Sequence, residues 1–527
     1  MSDSLSRRSF LHHSVAAVAA SAVRPHPLIP LHVVARGAGS EDLEEVTVAQ
    51  LQDAMRTGAR TSRSICAGYL ARIAALDPAL HSVLETNPDV LTIADRLDAE
   101  RQAGRVRGPM HGIPVLLKDN IATADRMMTT AGSLALAGVT PPRDALLVAR
   151  LRAAGAVILG KTNLSEWANI RSSQSSSGWS ARGGQCANPY ALDRNPCGSS
   201  SGTGAAIAAN FAAVGVGTET DGSIVCPSSA CSLVGVKPTL GLIEGAGIIP
   251  ISHSQDTAGP MARTVADAAA LLGALAGGRD YAASLDPAGL RGARIGVARK
   301  KVFGYSPEAD VLVEAAIDVL RRQGAVIVDP ADIPHLGEYD DSELTVLLYE
   351  LKADLAAYLA AWAPGASVKT LADIIAFNEA HKSQEMPYFG QELFLQAQEK
   401  GPLTDAAYTD ALAKDQRLSR TEGLDAVFAQ HSLDAIVAPT GSPPWPTDLV
   451  NGDHFLGASS TPAAVAGYPS VTVPVGYSFG LPVGMSFLGK AQGEAMLLKL
   501  AYAYEHAAKP RRAPRFLPTA DLSLPRG

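Results

Sequence analysis

Residues 294–298 (RIGVA) and 325–328 (AVIV) are short apolar segments, and between them the apolar residues of 307–322 recur with helical spacing. A helix between two such segments predicts a βαβ unit, in which the two strands run parallel and the helix covers one face. Similar apolar segments are found at 113–117, 156–160, 214–218, 435–438, 470–473 and 483–487. This pattern predicts the α/β class: a single large domain with a central mixed β-sheet covered by helices on both faces.

Apolar spacing predicts further helices at 46–58, 62–76, 144–154, 203–213 and 494–507, and residues 342–420 are predicted to be mostly helical. Asp144 is the predicted N-cap of the helix at 144–154. A Ser/Gly-rich stretch at 172–204 also contains Trp179, Tyr190 and two Asn-Pro pairs. Ordered loops of this length are usually functional, so this stretch is a candidate part of a binding or catalytic site.

The composition excludes several classes of protein. The 527 residues include 45 Lys and Arg against 52 Asp and Glu, a net charge of −7, which gives no general attraction for nucleic acid or anionic membranes. No apolar run reaches the roughly 18–20 residues of a membrane span. The chain lacks the CxxC and HExxH patterns, so the usual signatures of zinc sites are missing.

Five cysteines are too few for a disulfide scaffold in a chain of this length. Cys226 and Cys231 are close enough in sequence to pair in an oxidising compartment. Free cysteines are usually buried, however, and we expect these two to be buried thiols.

The N-terminal residues resemble an export address. Arg7-Arg8 precedes a weakly apolar segment at 15–20 and the small-x-small sequence Ala20-Ser21-Ala22. This order predicts a twin-arginine-type signal peptide over 1–22, and therefore a periplasmic or secreted protein that has no membrane attachment after cleavage. The alternative is a basic tail with a chance cleavage motif. The folded domain is expected over 41–520.

Lys118 is the first candidate catalytic residue. It ends the apolar segment 113–117, and burial there would lower its pKa until the neutral amine could act as a base. Taken alone, Lys118 could equally reach solvent or pair with Asp119, because lysine is rarely fully buried.

Two serine motifs follow. The sequence CGSSSGTG at 197–204 leads into a helix of small residues, and the start of a helix offers unpaired N–H groups. The sequence TETDGSI at 218–224 follows the segment 214–218, and a serine next to glycine after a strand can be surrounded by the N–H groups of an oxyanion hole. Each motif alone could be an ordinary helix cap or a surface turn.

The order and spacing of these motifs together resemble the amidase signature family. The similarity is strong over 51–263 and extends weakly to the C-terminal strands. Within the family, the match of 193–202 and 217–227 is most similar to bacterial peptide amidases, which remove the C-terminal amide of peptides. The matching motifs are Gly112–Asp119, Gly198–Gly202, Gly222–Ile224 and Val236–Thr239.

The resemblance implies a Ser–cis-Ser–Lys triad without metal or cofactor. Ser223 would be the nucleophile, Ser199 the bridging serine after a cis peptide bond, and Lys118 the base. Ser173 would lie near the bound amide. The oxyanion hole would use the backbone N–H groups of Thr220, Asp221, Gly222 and Ser223.

The implied function is hydrolysis of the C-terminal amide of a small peptide to the free acid and ammonia, by a monomeric enzyme. Two departures from the family pattern bear on this function. Asp221 replaces the first glycine of the usual Gly-Gly-Ser, so the oxyanion hole must tolerate a side chain. Val225 stands where many members carry arginine, and the loss of that cation argues against small acidic substrates.

Other functions fit parts of the sequence. The protein could be an amidase for aryl or aliphatic amides, or an A-type component of an amidotransferase, although an export signal argues against a cytoplasmic partner enzyme. It could also be a catalytically silent binding protein. A remote alternative is an α/β-hydrolase with Ser200 as the nucleophile of G-x-S-x-G and His431 or His454 as the base, but residues 189–196 contain two prolines and make a poor preceding strand.

Overall fold

The computed structural model describes residues 43–526, in which one large mixed sheet forms the centre. Its eleven strands lie in the order β1-β3-β2-β6-β8-β7-β12-β13-β11-β9-β10, and β4 and β5 form a separate small pair. The strands are β1 Val83–Thr86, β2 Pro114–Lys118, β3 Val157–Thr162, β4 Trp179–Ser180, β5 Gly184–Gln185, β6 Val214–Glu219, β7 Val234–Lys237, β8 Thr257–Ala262, β9 Arg294–Val297, β10 Val326–Val328, β11 Ala435–Pro439, β12 Ser470–Ser478 and β13 Leu481–Leu488.

Helices flank the sheet. They are α1 Val48–Thr57, α2 Ser62–Leu76, α3 Val90–Gln102, α4 Leu146–Ala153, α5 Ser201–Ala208, α6 Val225–Ala230, α7 Val265–Leu275, α8 Pro307–Arg322, α9 Asp340–Trp362, α10 Leu371–Ala380, α11 Lys382–Glu385, α12 Glu392–Gln398, α13 Ala406–Gln416, α14 Asp425–His431, α15 Thr461–Ala466 and α16 Glu494–Ala508. The predicted fold class is confirmed. The predicted βαβ unit is also confirmed, because β9 and β10 pair in parallel and α8 connects them.

One predicted helix cap is wrong. Helix α4 begins at Leu146 with Ala145 as its N-cap, and no side chain caps it. The Asp144 carboxylate instead accepts a hydrogen bond from the Ala124 N–H at 2.7 Å and pairs with Arg152 at 2.9 Å. Asp144 therefore stabilises the loop before the helix and pairs with a cation in its last turn.

Strands β2, β3 and β6 position the site. Strand β2 pairs in parallel with β3 on one side and with β6 on the other, so their carboxyl ends meet at one edge of the sheet. Lys118 ends β2, and Ser223 follows four residues after β6. Ser199 lies just before α5, which contacts both of these strands. Parallel pairing therefore brings together three residues that are far apart in sequence.

The signal peptide predicted over 1–22 lies outside the described residues. Within 43–526, no helix is long and apolar enough to cross a membrane.

Candidate active site

Lys118 is fully buried at the end of a central strand. Its Nζ donates to Ser199 Oγ at 2.7 Å and to Thr218 Oγ1 at 2.9 Å, with the Thr218 carbonyl at 3.3 Å. Burial lowers the pKa of Lys118 to about 7, although Asp256 and Glu219 oppose the shift. A substantial fraction of the amine is therefore neutral near pH 7, and a neutral amine can accept a proton from a hydroxyl.

The two predicted serines extend the chain of hydrogen bonds that begins at this amine. Ser199 Oγ donates to Ser223 Oγ at 2.9 Å, so one chain of hydrogen bonds joins Lys118, Ser199 and Ser223. Ser199 is fully buried, whereas Ser223 keeps 7% of its surface exposed. The Gly198–Ser199 peptide bond is cis, as the resemblance implies. The inner two groups are therefore shielded from water, and the outer hydroxyl can meet a substrate.

The turn before Ser223 offers unpaired donors. Within 43–526, no group accepts a hydrogen bond from the backbone N–H of Thr220, Asp221, Gly222 or Ser223. The next two N–H groups, of Ile224 and Val225, both donate to Glu219 Oε2, at 2.7 Å and 3.0 Å. The four unpaired N–H groups therefore lie in the turn that carries Ser223, where an oxyanion hole would need donors.

Side chains from three elements hold this turn in place. Besides the Glu219 contacts, Thr220 Oγ1 donates to Asp256 Oδ1 at 2.6 Å. Asp221 Oδ2 accepts from Thr461 Oγ1 at 2.7 Å, and burial raises the pKa of Asp221. The departure at position 221 is accommodated because its carboxyl group is hydrogen-bonded to the start of α15.

A cavity of about 520 Å³ lies beside the turn. Its wall includes Gly198, Asp221, Gly222, much of the Ser/Gly-rich loop at 172–177 and several residues of 445–461. Of the described residues that line it, none is Lys, Arg or His, and the charged ones are Asp221 and Asp453. The cavity therefore suits a neutral or cationic ligand better than an anionic one.

Ser173 lies on this wall, but its hydrogen bonds go elsewhere. The Ser173 N–H and Oγ both donate to Glu392 Oε1, at 2.6 Å and 3.0 Å, and Ser172 Oγ donates to the same atom at 2.8 Å. Its place near a bound amide stays a prediction. Glu392 lies about 220 residues further along the chain, and no sequence motif marked it.

Another part of the cavity wall carries aromatic side chains, which the sequence analysis did not identify as candidates. Trp445 and Phe455 contact edge to face with ring centroids 5.9 Å apart. Asp453 holds this segment by accepting from Trp445 Nε1 at 3.2 Å, Asn195 Nδ2 at 3.1 Å and the Ser177 N–H at 3.0 Å. In the sequence, the only indication of this aromatic segment was a tryptophan that lies among prolines.

The cysteine expectation is wrong for Cys226. Cys226 forms a disulfide with Cys197, with the two Cα atoms 5.9 Å apart, and Cys231 is a buried free thiol. Helix α6 separates Cys226 from Cys231, since residues five apart do not share a helix face. The loop before Ser199 instead brings Cys197 into bonding range.

The α/β-hydrolase alternative does not fit this geometry. Ser200 is fully buried, donates to the Thr218 carbonyl at 3.1 Å and accepts from the Thr218 N–H at 3.2 Å. No strand of the described residues directly precedes it. His454 pairs with Asp448 at 3.1 Å on the surface. Ser200 therefore secures the loop to β6 and lacks a neighbouring base.

One cluster of the described residues has metal-ligating side chains. The ligand atoms of His253, Glu350 and Asp354 lie within 4.8 Å of one another. The imidazole contacts Asp354 at 2.8 Å and Glu350 at 3.2 Å, and Tyr408 and Ser254 also donate to Glu350. Both carboxylates therefore already contact the imidazole, and the bond to Asp354 is the main cause of the raised pKa of His253.

Comparisons with known proteins identify the family of this chain. The Amidase family model matches residues 64–498. The crystal structure of the native peptide amidase from Stenotrophomonas maltophilia is similar, with 52% identity and a TM-score of 0.86 over 90% of this chain and 99% of that one.

Two curated relatives are not named as peptide amidases. A probable amidase of Arabidopsis thaliana is 42% identical over 499 residues, which cover 90% of this chain and 92% of that protein. The A-type component of the glutamyl-tRNA(Gln) amidotransferase of Chloroflexus aurantiacus is 35% identical over 497 residues, which cover 89% and 99%. From the family match and these similarities, the chain belongs to the amidase signature family and is a hydrolase that acts on amide C–N bonds.

Proposed function

We propose that the protein hydrolyses the C-terminal amide of peptides to the free acid and ammonia, through an acyl-enzyme on Ser223. The observation that carries the proposal is the chain from Lys118 Nζ through Ser199 Oγ to Ser223 Oγ, with distances of 2.7 Å and 2.9 Å. It ends beside unpaired backbone donors. The peptide specificity is supported by similarity to a peptide amidase.

The first half of the reaction forms the acyl-enzyme. Once Lys118 is neutral, the two hydroxyls rotate so that Ser223 donates to Ser199 and Ser199 donates to the amine. Lys118 then takes the hydroxyl proton of Ser199 while Ser199 takes that of Ser223. Ser223 Oγ bonds to the amide carbon, and the carbonyl oxygen becomes an oxyanion. The N–H groups from Thr220 to Ser223 bind this oxyanion, and loss of one such donor typically costs roughly 3–4 kcal/mol.

Loss of ammonia completes the acyl-enzyme, and hydrolysis then releases the acid. The proton returns from Lys118 through Ser199 to the amide nitrogen, the C–N bond breaks and ammonia leaves. Water then attacks the ester carbon, and its proton follows the same relay to Lys118. Collapse of the second tetrahedral intermediate returns the proton to Ser223 and releases the peptide acid.

The cavity supports a neutral or cationic peptide amide. Val225 provides no cation, and the cavity wall carries Asp221 and Asp453 together with two aromatic rings. An acidic side chain would meet carboxylates there without a partner, whereas an apolar side chain can pack on Trp445 and Phe455.

Ammonia release from a panel of amidated dipeptides tests this specificity. We expect faster release from dipeptide amides than from acetamide or free glutamine, with acidic side chains next to the amide the poorest. Faster release from acetamide than from every dipeptide amide would reject the peptide specificity and favour an aliphatic amidase. Preference for glutamine would favour an amidotransferase-like role.

We also propose that the enzyme is exported and acts as a monomer. The Arg7-Arg8 pair and the Cys197–Cys226 disulfide support export, since disulfides persist mainly in oxidising compartments. An Arg7→Lys/Arg8→Lys variant should stay in the cytoplasm on cell fractionation, and export of this variant would contradict a twin-arginine route. Light scattering should give the mass of one chain, and a dimer mass would contradict the monomer.

A further inference from the structure

We propose that the Cys197–Cys226 disulfide positions Ser199 against Ser223, so that the amidase reaches full activity only with this bond formed. The inference rests on the proposed function of the two serines. The disulfide joins their two loops at closely matched points. Cys197 lies two residues before Ser199, and Cys226 lies three residues after Ser223.

The two loops belong to different elements. Ser199 lies on the loop that leads into α5, whereas Ser223 lies on the turn between β6 and α6. The hydrogen bond between the two hydroxyls therefore depends on how well one loop is held against the other. A shift of about 1 Å between reacting groups can cost a factor of about 100 in rate.

Inside the protein, hydrogen bonds hold the loops together. The Ser200 N–H donates to the Ser223 carbonyl at 3.1 Å, and Ser200 Oγ donates to the Thr218 carbonyl at 3.1 Å. These contacts fix the buried side of the junction, next to Lys118.

The other side of the junction faces the cavity. Cys197, Gly198, Gly222 and Cys226 all line it. Side chains cannot fill a space that the substrate must enter, so this side can be held only from its edges. The disulfide supplies a covalent connection there, and Trp445 packs against it together with Ala230.

Removal of the bond should therefore loosen the serine pair without unfolding the sheet. Reduction by a dithiol transfers two electrons and two protons, which gives two cysteine thiols and converts the reductant to its disulfide. We expect the rate of chemistry at Ser223 to fall by about 100-fold. The Michaelis constant should change less, because most of the cavity wall lies on other segments.

The test compares a Cys197→Ser/Cys226→Ser variant with a Cys66→Ser control, which alters a buried free cysteine on helix α2. Two rates are measured: kcat with an amidated dipeptide and sulfonylation of Ser223 by phenylmethylsulfonyl fluoride. We expect both rates to fall by about 100-fold in the double variant and to stay within about twofold in the control. Wild-type rates in a folded double variant, or a change in the Michaelis constant alone, would overturn the proposal.

Sulfonylation separates this proposal from the proposed substrate. If phenylmethylsulfonyl fluoride labels Ser223 of the wild type but the enzyme cleaves no dipeptide amide, the proposed substrate class is wrong. The ratio of the labelling rates of the double variant and the wild type still tests the role of the disulfide. If the double variant does not fold, folded wild type is reduced with dithiothreitol and its new thiols are counted by mass spectrometry. Loss of both rates that reverses on reoxidation supports the proposal, and retained rates in reduced protein overturn it.

Discussion

Two lysines end neighbouring strands of the sheet, and only one is placed to act as a base. Lys118 on β2 and Lys161 on β3 are both fully buried, and burial lowers their pKa values to about 7 and about 8. Lys118 meets the Ser199 hydroxyl, which leads to Ser223. Lys161 donates to the Ile121 carbonyl at 2.6 Å and to Thr129 Oγ1 at 2.8 Å.

The comparison shows that burial lowers the pKa of an amine, whereas its hydrogen-bond partner determines whether the amine can act as a base. A lowered pKa makes neutral lysine available at both sites. At Lys161 the hydroxyl partner is Thr129, which itself donates to the Ile121 carbonyl at 3.3 Å and so leads to no nucleophile, and Asp119 lies nearby as a negative charge. At Lys118 the hydroxyl partner is Ser199, which is hydrogen-bonded to Ser223. Lys161 is therefore assigned to stability, and Lys118 to chemistry.

Matched substitutions should separate the two lysines most strongly. Lys118→Met keeps much of the side-chain volume but removes the base, so turnover should fall by at least about 10⁴-fold, as it does when catalytic groups that act as a unit lose a member. Ser223→Ala should fall as far. Ammonia release measures the loss, and near-wild-type activity of either variant would reject the assignment.

Lys161→Met is the control for this pair. It removes the amine that donates to the Ile121 carbonyl and to Thr129 Oγ1 and leaves the buried carbonyl the longer 3.3 Å bond from Thr129, which should cost about 1–3 kcal/mol of unfolding free energy. Denaturant unfolding measures that cost, while kcat of the folded fraction should stay near wild type. A large loss of kcat in a folded Lys161→Met variant would mean that both amines take part in the reaction.

Ser199→Ala tests the connection between base and nucleophile. The amine would keep its lowered pKa but lose its path to Ser223, so kcat should fall by about 10²–10⁴-fold, the usual contribution of a positioned proton-transfer group. A stopped-flow or single-turnover assay measures the acylation step. Acylation at the wild-type rate would show that Lys118 reaches Ser223 without the bridging serine.

The pH dependence of kcat/KM should follow the ionisation of Lys118 alone. Because the base must be neutral, kcat/KM should rise with increasing pH and level off above the pKa of Lys118, about 7. Lys161→Met should leave this limb unchanged. A limb that moves in the Lys161 variant would indicate that the two amines titrate together.

The smallest effect is expected at Asp221. Asp221→Asn keeps a polar side chain near Thr461 and leaves the backbone N–H groups in place. We expect kcat/KM within about threefold of wild type, well under the cost of losing an oxyanion donor. A loss of about 100-fold or more would mean that the carboxyl group itself takes part in the reaction.

Patterns of apolar residues predicted the helices and strands in which the apolar spacing is regular or the apolar run is continuous. The bounds of α2 and α8 match their apolar spacing, and β2 was found from its continuous apolar run. Strand β8 was missed because Gly259 and Pro260 lie in its interior, and both residues are unusual in strands. Its pairing with β6 and β7 comes from tertiary structure, which overrides local preference.

In the candidate site, too, some residues could be predicted from local motifs, and others depend on tertiary contacts. Lys118, Ser199 and Ser223 lie in recognisable motifs whose order pointed to a family. Their supports, Asp453 and Glu392, act through contacts that span more than 200 residues, so no local pattern marked them. The disulfide, which joins cysteines 29 residues apart, was not predicted because the only pair considered was Cys226 and Cys231.

The most direct test of the central claim is the rate at which phenylmethylsulfonyl fluoride labels Ser223 in wild type and in Lys118→Met, measured from about pH 5 to about pH 9. In wild type the rate should rise to a plateau with a midpoint near the pKa of Lys118, about 7. In Lys118→Met it should be flat and far lower. A Lys118→Met variant that labels at the wild-type rate with the same midpoint would contradict the account.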